Sequence, residues 1–494
     1  MRALLASLLL CLPLITISAD NFYYSPKART AYRLIMDLRL DEARSQILEI
    51  RRAEPQNLVV LHLEDYIDFF QLYITEEQTL FDSLKDARSE RLKTLERTCD
   101  DSPYCLYAQA DIRLHWSLLR LKFGEYLAAF IEVSKAYKLL KENEALYPEF
   151  MPNKKNLGVL HAMVGTIPDG YRWGIKLLSG LDGTIQQGRR ELEAVLAQTD
   201  ERDFLFSQEA RVLYAYLLLH LEDEPEAAWA AVNSAGLHPE RSPLHGFVLA
   251  NVAMRTERND KAIAILEACP EESTFFSFPY LHYMTGVALL RKLDPRAKKY
   301  FEEYLREYKG HHFVKDAYQK LAWNELIHGR PDAYRRYMQK VKERGTLVTG
   351  GDKSAMREAE SPGRPHPGLL KARLLFDGGY YERAYQVLRS FPASELLDAG
   401  IQLQYNYRMG RLMHVMGQSE RALVYYRKTI QTGQDLPDYY ACNAALQAGL
   451  IYEKQGKKKL ARQYYERCLS IKPDEYRTGL HQRAKSGLNR LEEE

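Results

Sequence analysis

Cysteine is scarce in this chain, with 6 in 494 residues and none in a C-x-x-C pair. That spacing leaves out the common zinc folds, whose ligands arrive as close Cys or His pairs. Charge of either sign is not in surplus: 69 Lys and Arg face 66 Asp and Glu. Such balance does not announce nucleic acid or an anionic membrane as a partner. Beyond the amino terminus no apolar run reaches the roughly 18 residues that a spanning helix needs. His-Glu-x-x-His and Gly-x-Ser-x-Gly are both missing, so no zincin site or nucleophile elbow is present. The 13 histidines are scattered, and His311-His312 is their single adjacent pair. No catalytic, cofactor or metal residue can be selected, and the chain reads as non-enzymatic.

One glycine-rich stretch, GTLVTGGDKS, resembles a phosphate loop at first sight. Lys353 follows Gly351 and Asp352, so the Gly-Lys-Ser order fails, and Asp352 would repel phosphates. The amino terminus carries a different message. Arg2, the apolar run Ala3 to Leu14, and small residues Thr16, Ser18 and Ala19 read as a secretory signal over residues 1–19. Pro13 and the short run argue against a retained anchor, and Leu10 before Cys11 argues against lipidation. The mature chain is therefore expected in a bacterial periplasm or at the outer-membrane periphery. In an oxidising compartment Cys99 and Cys105, within CDDSPYC, can close a disulfide. Two free thiols are the alternative.

What the sequence does have is self-similarity. AGLIYEKQGKKKLARQYYERCLSIKP (448–473) carries Gly449, Tyr452, Gly456, Ala461, Tyr465 and Pro473. MGRLMHVMGQSERALVYYRKTI (409–430) carries Gly410, Met413, Gly417, Ala422 and Tyr426 at matching offsets. ARLLFDGGYYERAYQVL follows the same frame through Ala372, Leu375, Gly379, Ala384 and Leu388. Weaker copies start their second helices at Ala333, Ala297, Ala262 and Ala227 or Ala228. Two further copies carry Gly124, Tyr126, Ala129 and Ala136, and Leu40, Ala43, Ile47 and Pro55.

This pattern resembles the tetratricopeptide repeat (TPR), a helix-turn-helix unit with small residues where its helices cross. The resemblance covers most of residues 24–494. It implies an all-α, right-handed solenoid of about nine hairpins, with irregular hairpins at 58–98 and 150–200. The expected order is a signal (1–19), N-terminal hairpins (20–150) and a Gly-rich joint (151–200). Central repeats (201–343), an inter-repeat loop (344–368) and C-terminal repeats (369–494) follow. In such an array each hairpin exposes an apolar face that only its neighbours cover.

The joint contains LHAMVGTIPDGYRWGIKLLSGLDGTIQQG (160–188). Its glycines are spread rather than clustered, so it reads as a packed bend and not a phosphate cradle. Gly165, Pro168, Gly170, Trp173, Gly180 and Gly183 carry that reading. A helix is expected to end near Gly165, and another, containing Gly188, to run to Leu196. A docking ridge and a membrane contact through Trp173 are the alternatives. His161 reads as a satisfied core histidine. The stretch also resembles a Gly- and Pro-interrupted motif in large inclusion-body-clearance TPR proteins.

The TPR resemblance further implies a concave groove lined by first helices. The frame puts Trp323, then Leu369, Arg373 and Phe376, then Gln404, Tyr407, Arg411 and His414 on it. Asn443, Leu446 and Lys454 follow in the last repeat. Aromatics interleaved with guanidinium groups suit a protein or peptide partner bearing acidic groups. Solvated or packed helix residues are the plain alternative. The function expected is partner binding or scaffolding. An enzyme with a site near 160–188 and a structural spacer are the competing readings.

Overall fold

The structure, a computed structural model, describes residues 21–99, 102–167, 176, 179–199 and 203–493. Among these residues the regular structure is helical, with 24 α-helices, one 3-10 turn and no strand. The chain divides into two compact units. One comprises the residues up to Gly236 with Glu271–Ser277, and the other comprises Leu237–Pro270 with Phe278 onward. The central block expected at 201–343 is therefore shared between the units.

The first unit holds five hairpins: α1 (Pro26–Met36) with α2 (Leu40–Ala53), α3 (Val59–Thr75) with α4 (Gln78–Thr98), α5 (Pro103–Lys122) with α6 (Tyr126–Leu146), α7 (Met151–Gly165) with α8 (Ile185–Thr199), and α9 (Ser207–His220) with α10 (Pro225–Asn233). The second holds six: α11 (Pro243–Arg255) with α12 (Asn259–Glu267), α13 (Tyr280–Arg291) with α14 (Ala297–Glu307), α15 (Val314–Ile327) with α16 (Pro331–Glu343), α18 (Pro367–Asp377) with α19 (Tyr381–Arg389), α20 (Ala399–Val415) with α21 (Ser419–Gly433), and α22 (Tyr440–Lys454) with α23 (Lys458–Ser470). Helix α17 (Gly350–Glu360) lies between the third and fourth of these, and α24 (Arg477–Glu493) follows the last. The two stretches expected to be irregular, 58–98 and 150–200, fold as hairpins in their own right.

Local chemistry explains many starts and turns. Ser25-Pro26, Ser102-Pro103 and Ser242-Pro243 open helices in the same way, the serine hydroxyl accepting from a first-turn N–H. Proline suits the first helical position, where its missing N–H has no partner to lose. Ten of the eleven hairpins turn through one left-handed residue: Gly124, Gly329, Gly379, Gly417 or Gly456 in five of them, and Leu38, Glu76, Asp223, Glu257 or Leu293 in the others. A side chain there costs roughly 1–2 kcal/mol, and these non-glycine turns belong mostly to hairpins with weak motifs. Within the strong repeats, a Cβ at Gly410 would meet the Tyr426 ring at 2.7 Å, and one at Gly449 the Tyr465 ring at 2.6 Å. The small–aromatic spacing thus records direct helix contact.

The remaining hairpin, fourth in chain order, is the joint. Helix α7 ends at Gly165, and α8 contains Gly188 and Leu196. The helices cross on glycine: a Cβ at Gly188 would lie 2.2 Å from the Gly158 carbonyl oxygen, and one at Gly165 2.5 Å from Ile185 N. A Cβ at Gly183 would lie 2.5 Å from His161 Cα, while Gly180, at φ +76°, turns in open space. Pro168, Gly170 and Trp173 lie outside the described residues.

Residues 344–368 are not a loop throughout, since α17 occupies Gly350–Glu360. Thr349 caps it, accepting from Asp352 N at 3.0 Å and donating to Asp352 Oδ2 at 2.6 Å. Asp352 is fully buried and accepts from Phe313 N at 2.9 Å and Asp316 N at 3.1 Å. Helix α15 begins after Phe313, which sits at φ 58° and supplies no side-chain cap. Its cap therefore comes from a residue 39 positions later, which sequence periodicity cannot show. Replacing Asp352 with Ala strands buried N–H donors, and about 2–4 kcal/mol of stability is expected to go. Calorimetric melting checks this, with Asp352→Asn expected to fall between wild type and Ala.

A polar network runs through the first unit. Asp111 accepts from Tyr66 at 2.9 Å and Asn156 at 2.7 Å, with His62 Nε2 2.9 Å away. His62 Nδ1 lies 2.9 Å from the Tyr24 hydroxyl. Lys155 is fully buried with Nζ 2.5 Å from Glu209. His115 and Trp116 reach opposite oxygens of Asp65, at 2.8 and 3.1 Å. Burial would raise the Asp111 carboxyl, but the charges of His115 and Lys155 and the His62 contact hold it well below the usual range. Burial likewise pulls His115 down, and Asp111 and Asp65 outweigh it to leave the imidazole raised.

A lowered Asp111 contributes stability above its unfolded value of about 4, lost as pH falls through the folded value. A raised His115 contributes below about 6.5, lost as pH rises through its folded value. The stability gap between wild type and Asp111→Asn should be widest between these limits. Urea midpoints across pH 3–9 measure it, and a pH-independent gap would contradict the assignment.

Candidate partner-binding groove

The groove residues expected in the second unit sit on α15, α18, α20 and α22, the first helices of four hairpins. Arg373, Phe376, Tyr407 and Arg411 converge on one pocket of about 140 Å³, with Ala372, Asp377, Arg408, Leu412 and Tyr439 completing it. The convergence follows from helical spacing. Residues 373, 376 and 377 share one face of α18, and 407, 408 and 411 one face of α20.

Aromatic rings hold the cations in place. The Arg373 guanidinium lies 5.0 Å from the Trp323 ring and that of Arg411 5.0 Å from the Phe376 ring. Tyr407 accepts from Arg411 Nη1 at 3.3 Å and from Asn443 Nδ2 at 2.8 Å. Burial works against the Arg373 charge, but Asp377, 3.7 Å from its Nε, and the nearby tyrosines raise its pKa above the ordinary value. Burial also raises the Tyr439 hydroxyl, which stays protonated. Arg408 Nε is buried with no hydrogen-bond partner. Three guanidinium groups against one carboxylate leave the pocket net positive, with one donor unsatisfied.

Other expected positions fall elsewhere. Leu369 is 1% exposed and belongs to the apolar core. Helical spacing puts it on the face of Arg373 and Phe376, but one turn earlier, where the core covers it, so its place on the groove is corrected. Leu446 is likewise fully buried. Trp323 is mostly covered: its Nε1 donates to Glu358 of α17 at 2.8 Å, and Lys320 lies 4.0 Å from its ring. Tyr334 at 3.0 Å and Gln319 at 2.7 Å also donate to Glu358, so α17 places an acidic side chain on this first helix. Gln404 is half-buried and outside the pocket lining. His414 Nδ1 lies 3.3 Å from the Tyr426 hydroxyl, with its pKa lowered by burial and by Arg411 and Lys454. Lys454 is exposed at the end of α22.

The repeat frame does not place Arg408, Asp377 or Tyr439 on this pocket, although Arg408 lies three residues before Arg411 and beside Tyr407. At the joint, His161 is enclosed: Glu191 lies 2.6 Å from its Nδ1 and the Tyr137 hydroxyl 3.4 Å from its Nε2. That geometry describes a packed histidine. Cys99 and Cys105 are paired in a disulfide, with Cα atoms 5.8 Å apart. The bond ties the end of α4 to the first turn of α5.

Residues 443–475 match the family model described as tetratricopeptide repeat. The matched span covers most of the α22–α23 hairpin and the turn beyond it. No curated protein matches the chain. The likeness of residues 160–188 to inclusion-body-clearance proteins finds no support in these comparisons. Fold and match together define an all-helical repeat protein with TPR character, an architecture suited to protein interaction.

Proposed function

We propose that this is an exported, non-enzymatic scaffold that holds an acidic stretch of a partner protein in the first-helix groove of its second unit. The observation that carries the reading is the pocket of Arg373, Arg408 and Arg411, cationic and with a buried donor unsatisfied. A carboxylate meets that charge, because guanidinium forks and carboxylates pair in matched geometry. Glu358, received by Trp323, Tyr334 and Gln319, is a precedent inside the chain for an acidic side chain on these helices. Export rests on the character of residues 1–19 and accords with the Cys99–Cys105 bond, since disulfides persist in oxidising compartments.

Affinity capture of the mature protein from its own cell envelope, followed by mapping of the bound partner with overlapping peptides, tests this. A stoichiometric partner whose binding peptide is acidic, with affinity falling as salt rises, is the expected result. A binding peptide without acidic residues would overturn the acidic-partner reading. Turnover of a metabolite library with no partner captured would favour an enzyme.

A further inference from the structure

Outside the groove, the second unit holds two buried thiols. Cys442 on α22 and Cys468 on α23 face each other across the last hairpin, with their sulfurs 3.5 Å apart and no bond between them. Both are fully buried in the apolar core of the second unit. The Cys442 thiol points to the Cys468 carbonyl at 3.4 Å, and the Cys468 thiol to the Leu480 carbonyl at 3.9 Å.

We propose that Cys442 and Cys468 are a second disulfide site, closed by thiol–disulfide exchange with a small-molecule or protein disulfide. The sulfurs need to approach by about 1.5 Å to reach the usual bond length near 2.05 Å. The same chain already holds one disulfide, between Cys99 and Cys105. One thiolate attacks the donor disulfide, forming a mixed disulfide and releasing one donor thiol. The second thiolate then attacks the mixed disulfide and releases the other donor thiol. Two protons leave the cysteines and two are taken up by the donor, which is reduced as the pair is oxidised.

Burial sets when this happens. Helix α24 closes over the hairpin, so exchange proceeds during folding or when the terminal helix opens locally. The closed bond joins residues 26 positions apart, which constrains the unfolded chain and raises stability. It also pins α22, whose Asn443 donates to Tyr407 in the groove. Among the described residues Cys269 has no cysteine beside it, and burial pushes its thiol up to about 12, so it should remain unpaired.

The test is to reduce the full-length mature protein and refold it in oxidised and reduced glutathione. The product is then alkylated and digested, and its linked peptides are mapped by mass spectrometry. Linked peptides for both Cys99–Cys105 and Cys442–Cys468 are expected, with Cys269 alkylated. The thermal midpoint should rise on oxidation, and Cys468→Ala should cut that rise back to the part that Cys99–Cys105 contributes. Recovery of Cys442 and Cys468 as alkylated thiols in a sample where Cys99–Cys105 is linked would overturn the proposal. So would pairing of either with Cys269.

Discussion

Reversing Arg373 and Arg411 together to glutamate should abolish capture of the acidic partner while helicity is retained. Both guanidinium groups line the same pocket, and each charge-assisted hydrogen bond contributes about 1.5–3 kcal/mol. Losing two removes at least about 3 kcal/mol, roughly two decades in Kd, before the repulsion from two new carboxylates is added. Both cations stack on rings, Arg373 on Trp323 and Arg411 on Phe376, so some local packing goes with them. The pair Arg373→Gln and Arg411→Gln keeps side-chain length and should lose binding without adding repulsion. Reversal of the exposed Lys458 and Lys459 on α23 serves as the matched control. Circular dichroism and titration of the mapped peptide are the measurements. Equal binding by the groove and control variants would sink the assignment of this pocket.

Gly188→Ala should destabilise the first unit although alanine is the better helix former. The propensity gain is about 1 kcal/mol. Against it stands a Cβ placed 2.2 Å from the Gly158 carbonyl oxygen and 2.7 Å from Ala162 Cβ. These are backbone and short side-chain atoms that cannot swing aside, so α7 and α8 must separate. Overpacking of this kind costs up to about 3 kcal/mol, and with a backbone clash this close a net loss of about 2 kcal/mol is expected. That corresponds to a fall of roughly 4–8 °C in the melting of a unit this size. Gly479→Ala makes the same chemical change in helix α24, where nothing lies within 4 Å of the new Cβ, and should be neutral or stabilising. If both variants melt alike, glycine at 188 is not there for helix contact.

The repeat frame was legible because tight helix crossings constrain residue type. Gly410 and Gly449 face Tyr426 and Tyr465 directly, so small and aromatic residues recur at set offsets and the second helices can be placed from their alanines. The weak repeats were harder to read for an equally local reason. Most of their turns use Leu38, Asp223, Glu257 or Leu293 in the left-handed conformation where the strong repeats use glycine. The pocket was legible in part: Arg373, Phe376, Tyr407 and Arg411 line it, whereas Leu369 lies in the core beneath. A frame one turn too generous at the start of α18 explains that difference.

The chain alone carries what depends on neighbours within a turn or two of helix. It shows the all-helical class, the order of the hairpins and the place of the glycine joint, because periodicity and backbone freedom are local properties. Contacts between distant residues are of another kind. Asp352 caps a helix that begins 38 residues earlier. Asp111 gathers His62 from 49 positions away and Asn156 from 45, and Lys155 meets Glu209 across 54. Which buried carboxylate meets which cation, and which arginine is left with an unsatisfied nitrogen, is settled only when the hairpins stack and water is excluded. The energy of these pairings comes from that desolvation, which no run of neighbouring residues contains.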